Sequence, residues 1–275
     1  MTPEHNNAIA VRRLKKSLGG KEVLRGVDLE IRRGETMVII GQSGCGKSVL
    51  LKHIVGLHFP DQGEVFIDGQ PLNGVSTSER LKLLSEFGML FQGAALFDSL
   101  TIAENVAFRH IQSRKYSQKE MDRIVAEKLE MVGLSGIAHL KPAELSGGMQ
   151  KRVGLARAIA ADPKFILYDE PTTGLDPIMA DQINDLILHM QEVLNVTSIA
   201  VTHDMVSAYK IADRISMLYQ GQVIETDTPD RIQRSKNPYV RQFIRGEAYG
   251  PITTVRPFGY TGPSGTKGGK HEAPQ

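Results

Sequence analysis

The run GQSGCGKS, Gly41 to Ser48, constrains the fold of this chain more than any other stretch. It fits the pattern G-x-x-x-x-G-K-[ST], and it lies between a strand-like apolar run, ETMVII, and an apolar helical run. Glycines at these positions let backbone N–H groups turn toward an anion, and the following helix adds the positive end of its dipole. The sequence therefore predicts a strand–loop–helix unit that binds phosphate.

The end of this loop predicts two specific roles. Lys47 is expected to reach the outer phosphates as a point charge, and the Ser48 hydroxyl is expected to ligate Mg²⁺. Kinases, GTPases and transport ATPases all use such a loop, so it indicates a nucleotide without indicating how the energy is used. The nucleotide contacts expected from the loop are Gly41, Gln42, Ser43, Gly44, Cys45, Gly46, Lys47, Ser48 and Val49.

The run KFILYDEP predicts a buried strand that ends in two carboxylates, Asp169 and Glu170. Buried charge is costly unless a metal ion or hydrogen bonds satisfy it, and a bound Mg²⁺ would do so. We expect Asp169 to hold the ion, commonly through water. Glu170 at the strand tip is then placed to orient and deprotonate the attacking water.

Hydrophobic periodicity predicts an α/β core. Two nearly all-apolar runs, 165–169 and 198–203, flank a helical pattern from about 177 to 194, as expected for central strands of a parallel sheet. Residues 101–161 carry helical spacing. Shorter strand-like runs lie at 8–14, 22–31, 35–41 and 63–69, and 214–227 is typical of a hairpin.

The run LSGGMQKR narrows the class of protein. Ser146, Gly147 and Gly148 open a helix and make a second N-terminus suited to an anion. Together with the phosphate loop and the strand that ends in Asp169 and Glu170, this run indicates that residues 6–245 resemble the ATPase subunit of ABC transporters. The resemblance implies a P-loop α/β core with a mostly parallel sheet, an N-terminal antiparallel β subdomain and a helical signature subdomain at about 88–160.

The resemblance also implies a composite site in a head-to-tail dimer with a second copy of the chain. The signature residues of one subunit would close on ATP held by the loop of the other. Gln92 in LFQG matches the glutamine that meets Mg²⁺ and water, and His203 in VTHD matches the histidine that contacts the γ-phosphate. Asp176 in TTGLDP matches the dimer-interface aspartate. The signature contacts implied are Ser146, Gly147, Gly148 and Gln150.

Two positions depart from the most common pattern. Leu18 stands where many relatives place an aromatic residue against adenine, so stacking is lost, and we expect ATP rather than GTP on the remaining motifs. Cys45 fills a variable slot of the loop, and we interpret it as a small filler without a chemical role.

Two further stretches, MLFQGAALFDSLTIAENVAF and NPYVRQFIRGEAYGP, resemble the ATPase of the Mce-associated, Mla-type phospholipid transporters of Gram-negative bacteria. This implies a peripheral ATPase on the cytoplasmic face of the inner membrane, docked to a permease that works with Mce-type substrate-binding and small accessory subunits. Coupling would use the surface near Gln92, Leu96 and Phe97. An equal alternative is that Leu96 and Phe97 pack inside the helical subdomain.

The C-terminal extension, 246–275, is expected to contact the partner subunit through apolar residues such as Phe258 and Tyr260, and its distal part is expected to be disordered. Thirty-three Lys plus Arg against 31 Asp plus Glu give nucleic-acid binding no support. No apolar run approaches the roughly 18 residues of a membrane span, and the single cysteine favours the cytoplasm. Import of a polar solute and Fe–S assembly remain alternative functions.

Overall fold

Two β-sheets organise the described part of the chain, residues 7–253 of the computed structural model. The larger has six strands in the order β10-β9-β3-β8-β7-β6, and the smaller has four in the order β2-β1-β4-β5. The strands are β1 Asn7–Leu18, β2 Lys21–Arg32, β3 Thr36–Ile40, β4 Gln62–Ile67, β5 Gln70–Pro71, β6 Phe87–Leu90, β7 Phe165–Asp169, β8 Thr197–Val201, β9 Arg214–Tyr219 and β10 Gln222–Asp227.

Helices lie between many of these strands along the chain. A short 3₁₀ turn, Pro142–Glu144, precedes the sixth of them. The α-helices are α1 Lys47–Ile54, α2 Thr77–Leu84, α3 Ile102–Val106, α4 Phe108–Ser113, α5 Gln118–Met131, α6 Gly147–Ile159, α7 Pro177–Leu194, α8 Met205–Ile211, α9 Pro229–Gln233 and α10 Pro238–Arg245.

The central strands of the larger sheet are buried on both faces. Every residue of β3 and β8 is buried, and so is every residue of β7 except Asp169 at its end. β3 pairs in parallel with β8 and β9, β8 with β7, and β7 with β6, whereas β10 pairs antiparallel with β9. The all-apolar runs therefore lie at the centre of a mostly parallel sheet, where both faces are removed from water. On one face, residues such as Ile39, Leu167 and Val201 form a single core with the small sheet and α1.

The smaller sheet is antiparallel and comes from the N-terminal part of the chain. Its strands alternate, so that residues such as Leu14, Leu29 and Ile31 are buried while their neighbours are exposed. The predicted combination of a mostly parallel core, an N-terminal antiparallel sheet and helical signature elements is confirmed.

Helices α3 to α6 occupy residues 102–159, between β6 and β7. Capping boxes fix two of their starts, because Thr101 and Ser117 each exchange hydrogen bonds with the glutamate three residues later. α6 packs against β6. The helix that begins with the LSGG run is thereby anchored to the sheet.

By its contacts the chain divides into two compact units, Met1–Ile232 and Gln233–Gln275. In the second unit, the Gln242 amide donates to the Glu247 carbonyl and accepts from the Ile252 amide. Phe258 and Tyr260 of the predicted dimer contact, and the part predicted to be disordered, lie outside the described residues. No helix among residues 7–253 is long and apolar enough to cross a membrane.

Candidate active site

The loop Gly41–Ser48 joins β3 to α1 and has the tight backbone that a phosphate site needs. Gly46, directly before α1, has a φ of 111°, which L side chains rarely adopt. A side chain at Gly41 would place its Cβ 2.2 Å from the carbonyl oxygen of Leu218 on β9. Glycine at these two positions therefore allows the loop to curl against the sheet.

Lys47 is buried within this loop, with 7% of its surface exposed. Its Nζ donates to the carbonyl oxygens of Gly41 at 2.7 Å and Gln42 at 3.0 Å. An ammonium has three donors, so one remains for a phosphate oxygen. Gly44 and the Ser48 side chain are exposed at the loop surface. The loop therefore fits the phosphate group that its sequence predicts.

The remaining predicted groups follow strands that end at the same edge of the sheet. β3, β8, β7 and β6 are neighbours and run in parallel, so their carboxyl ends lie side by side. His203 follows β8, Glu170 follows β7 and Gln92 follows β6. This edge is where open α/β sheets bind their ligands.

Glu170 is held at its side chain and at its backbone. Its Oε2 lies 2.8 Å from Nδ1 of His203 and accepts a hydrogen bond from the Thr173 hydroxyl at 3.0 Å. Its backbone has a φ of 50°, uncommon for a residue with a side chain, and its amide donates to the Val201 carbonyl at 2.9 Å. The predicted base and the predicted switch histidine are thus in direct contact.

Asp169 is half-buried, and its side chain forms no ion pair or hydrogen bond within residues 7–253. Burial first, and then the charge of Glu170, raise the pKa of Asp169, while nearby lysines including Lys47 act in the opposite direction. Residues 7–253 contain no group of three or more His, Cys, Asp or Glu placed to hold a metal. A hard oxygen from Asp169 and the Ser48 hydroxyl fit Mg²⁺, which takes its other ligands from phosphate and water.

The signature residues lie at the start of α6. The Ser146 hydroxyl caps the helix by accepting from the Met149 amide at 3.3 Å. Gly147 is exposed, and a Cβ there would meet nothing within 4 Å. Within the described residues, no hydrogen bond or ion pair joins Ser146, Gly147 or Gly148 to the loop Gly41–Ser48. One chain thus presents two separate anion-ready helix ends.

Two predicted contact residues have partners inside their own chain. The Gln150 amide donates to the carbonyl oxygens of Pro142 at 2.9 Å and Leu145 at 3.3 Å, so it braces the turn before α6. Asp176 caps α7 by accepting from two backbone amides, each at 3.0 Å. Their predicted contacts with nucleotide and partner stay predictions.

Sequence reasoning missed two residues at the site, Thr173 and Lys151. Thr173 lies three residues after Glu170, within reach of a local hydrogen bond, and this spacing was the available signal. Lys151 is 5% exposed, and its Nζ donates to the backbone carbonyls of Gln92 and, at 3.3 Å, of Glu170. Lys151 lies three residues after Gly148 and four before Leu155, and this spacing predicts that it lies on the buried face of α6.

The segment 91–95, which follows β6 and is called the Gln92 loop here, borders an apolar groove of about 650 Å³. The groove is lined in part by Phe91, Phe97 and Phe108. Phe97 packs against Phe108, with ring centroids 4.5 Å apart, yet 43% of Phe97 is exposed. The buried Asn105 amide holds the Phe97 backbone by donating to its carbonyl and accepting from its amide. Phe97 therefore packs inside the helical subdomain and is also partly open to solvent, and Leu96 is half-buried. The use of this surface for coupling stays a prediction.

Cys45 and Leu18 occupy contrasting environments. Cys45 is buried, and burial raises the pKa of its thiol despite the nearby Lys47. A protonated, enclosed thiol is consistent with a filler. Leu18, at the end of β1, is 38% exposed and is available for an apolar contact with a base.

The fold and this edge of the sheet define a P-loop nucleotide hydrolase with a second anion-ready helix. A family model described as ABC transporter matches residues 24–173. The chain belongs to the ABC transporter family, as its ATP-hydrolysing cassette.

Similarity to known members extends over most of the chain. It is 41% identical to the "Intermembrane phospholipid transport system ATP-binding protein MlaF" of Haemophilus influenzae, over 90% of this chain and 94% of that protein. It is 40% identical to the "Probable ribonucleotide transport ATP-binding protein mkl" of Mycobacterium leprae, over 89% and 71% of the two chains. A dimeric post-hydrolysis structure of the ATP-binding cassette MJ0796, bound to ADP and Pi, matches with a TM-score of 0.73 and 34% identity, over 80% and 98%.

Proposed function

We propose that this ATPase powers phospholipid movement between membranes, through a permease partner, by hydrolysing ATP with Mg²⁺ in a site completed by a second copy of the chain. The observation that carries the catalytic part is Glu170, held by Thr173 and His203 at the edge of the sheet where the phosphate loop begins. A carboxylate fixed in this way is suited to accept a proton from a positioned water.

The residues divide the work at this edge. Lys47 binds the outer phosphates with its remaining donor, and the loop amides bind the others. Ser48 and Asp169 hold Mg²⁺, which when bound neutralises charge developing on the phosphate oxygens. His203 contacts the γ-phosphate and keeps Glu170 oriented, and the exposed side chain of Gln92 reaches the water.

Completion of the site by a second copy is supported by the separation of the two anion-ready ends. Ser146 and Gly147 are exposed, and within the described residues they do not bond to the phosphate loop Gly41–Ser48 of the same chain. They are therefore open to a nucleotide held by another subunit. The matched cassette MJ0796 is dimeric with ADP and Pi bound. Residues 246–275 are proposed to add contacts with the same partner.

The composite site is tested by oligomeric state. A strictly monomeric form should hydrolyse ATP at background rates, and mixing an S146R chain with a Glu170→Gln chain should restore at most one working site per dimer. Full activity of a monomer, or indifference to S146R, would contradict the composite site. Deleting 246–275 should weaken dimerisation, and an unchanged dimer would remove the proposed role of the extension.

Docking of the permease is assigned to the groove beside Gln92. Its lining is apolar and includes the exposed Phe97, while Arg109 and Arg157 border it. An amphipathic helix of a membrane partner fits such a groove by inserting its apolar face. A movement of that helix would then reach Gln92 directly, which links transport to hydrolysis.

The cargo rests on the similarity to MlaF, which spans 94% of that protein, together with the MLFQGAALFDSLTIAENVAF and NPYVRQFIRGEAYGP runs. A location on the inner face of the inner membrane and Mce-type and small accessory subunits belong to the same proposal. A second candidate, transport of a polar solute, is favoured by the 40% identity to the mkl protein.

Purification from native membranes separates these candidates. We expect the chain to co-purify with a permease and bound phospholipid, and ATP to drive lipid transfer between vesicles. Phe97→Ser should release the permease, whereas Tyr116→Ser, which changes a ring of similar exposure (41% against 43%), should not. A permease that carries a polar solute would overturn the lipid assignment, and a chain absent from membrane fractions would favour Fe–S assembly.

A further inference from the structure

The Gln92 loop is fastened to α6 by two cationic side chains. Lys151 donates to the Gln92 carbonyl, and the Arg157 guanidinium donates to the carbonyls of Ala94 and Ala95, each at 2.6 Å. Ala94 and Ala95 have φ values of 58° and 47°, so the loop adopts a backbone that alanine rarely takes. Such a conformation persists only where surrounding contacts impose it.

Lys151 has a second contact that Arg157 lacks. Its Nζ also donates to the Glu170 carbonyl at 3.3 Å, and Glu170 too has a positive φ. One buried ammonium therefore bridges the loop after β6 and the loop after β7. These two loops carry Gln92 and Glu170, the side chains proposed to act on water.

The charge of Lys151 is in an unusual environment for a buried cation. Within the described residues it forms no ion pair with a carboxylate, and its hydrogen-bond acceptors are neutral carbonyls. Burial lowers the pKa of Lys151, and the charges of Asp169 and Glu170 oppose that effect. A buried cation without a direct counterion is costly, so an apolar residue would be expected at a position that served packing alone.

Lys128 provides the contrast within the same chain. It is equally buried, at 5% exposure, but its Nζ is paired with Glu127 at 3.0 Å and Asp162 at 2.8 Å. These two carboxylates neutralise the cation, and Lys128 contacts neither the loop after β6 nor the loop after β7. Lys128 has the features of a structural lysine, and Lys151 does not.

We propose that Lys151 is a positioning residue that locks Gln92 and Glu170 to α6 in one arrangement. This inference rests on the proposed function, because it assumes that those two residues act on water. α6 begins directly after its N-cap, Ser146, which is proposed to face the nucleotide held by the partner. Through Lys151, a shift of α6 caused by that nucleotide reaches the Glu170 of its own chain.

Four variants of the full-length dimer test the proposal: Lys151→Met, Lys151→Arg, Arg157→Met and Lys128→Met. Lys151→Met should lower kcat for ATP at least tenfold while KM changes less than threefold, since the loop that binds phosphate is untouched. Lys151→Arg should recover most of kcat because it keeps a charged donor. Lys128→Met should keep native kcat even if its thermal stability falls.

Hydrogen exchange gives a readout that does not depend on activity. Lys151→Met should speed exchange in both segments 91–95 and 170–174, and Arg157→Met should do so only in 91–95. Native exchange in 170–174 with native kcat in Lys151→Met would overturn the proposal. If Glu170→Gln also turned over normally, the proposed function would fail; if Glu170→Gln were inactive, only the role of Lys151 would fail.

Discussion

Replacing Glu170 by glutamine removes a proton acceptor with little change in shape. The carboxamide oxygen can still accept from the Thr173 hydroxyl, which lies 3.0 Å from Oε2 in the native chain. The same oxygen lies 2.8 Å from Nδ1 of His203, so a carboxamide oxygen in its place can also accept from that nitrogen when it carries a proton. The loop after β7 should therefore keep its structure, and nucleotide affinity should change less than about threefold.

The size of the fall in turnover separates two explanations for it, loss of the contact with His203 and loss of the general base. The His203 side chain is 58% exposed, so its contact with Glu170 contributes at most about 0–1 kcal/mol, or up to about fivefold in rate. A general base contributes about 10²–10⁴-fold, which corresponds to about 2.7–5.4 kcal/mol of activation free energy. A fall in turnover of about a hundredfold or more thus reports loss of the base.

Phosphate release in the steady state measures this turnover, and size-exclusion chromatography with ATP and Mg²⁺ measures the closed dimer. The variant should accumulate as a dimer because it binds ATP without hydrolysing it. Glu192→Gln, which changes an exposed glutamate of α7, serves as the matched control and should behave as the native chain does. Turnover of Glu170→Gln above about one fifth of native would refute the role of Glu170 as base.

Three further predictions concern the loop and the helix behind it. Cys45→Ala should keep hydrolysis within about twofold, and because burial raises the pKa of the thiol, native Cys45 should react with bulky thiol reagents faster as pH rises, with loss of ATP binding. Gly41→Ala should destabilise the chain by about 1–3 kcal/mol and weaken ATP binding, since its Cβ would lie 2.2 Å from a backbone oxygen. Burial lowers the pKa of His53 below the ordinary histidine value of 6.5, so its stabilisation is present above about pH 6.5 and is lost as pH falls through the folded-state pKa. Denaturant unfolding at about pH 7.5 and 5.5 should therefore show less pH dependence in His53→Gln than in the native chain.

Each of these has its own control. An inactive Cys45→Ala protein would contradict the filler assignment. Gly93→Ala, where a Cβ meets nothing within 4 Å, should leave stability unchanged, and equal losses in both glycine variants would remove the steric argument. His189→Gln changes an exposed histidine and should leave the pH dependence of unfolding native, so an effect equal to that of His53→Gln would contradict the burial explanation.

The phosphate loop and the carboxylate strand end could be predicted because their information is local. The glycine spacing of Gly41–Ser48 requires a particular turn, and an all-apolar strand followed by Asp169 and Glu170 places both carboxylates at the edge of the sheet where the strand stops. The fold class followed from periodicity, since runs such as TMVII and TSIAV have no polar face and must be covered on both sides.

The contacts within the site could not be predicted in this way. The pairing of Glu170 with His203, and the bridge from Lys151 to Gln92 and Glu170, join segments far apart in sequence. They exist because the order β3-β8-β7-β6 brings four strand ends to one edge, with α6 packed beside them. Likewise, the turn of Gln150 toward Pro142 and Leu145 depends on a neighbouring loop.

By itself, then, the sequence determined which residues could bind phosphate and which strand would present acids, because turn geometry and burial act over a few neighbouring residues. Only the tertiary structure decided which side chains meet at the edge, because strand order and helix packing are set by the whole core. Lys151 is one example: the sequence of α6 places a cation on the buried face of the helix, and only the fold shows that it donates to the carbonyls of Gln92 and Glu170.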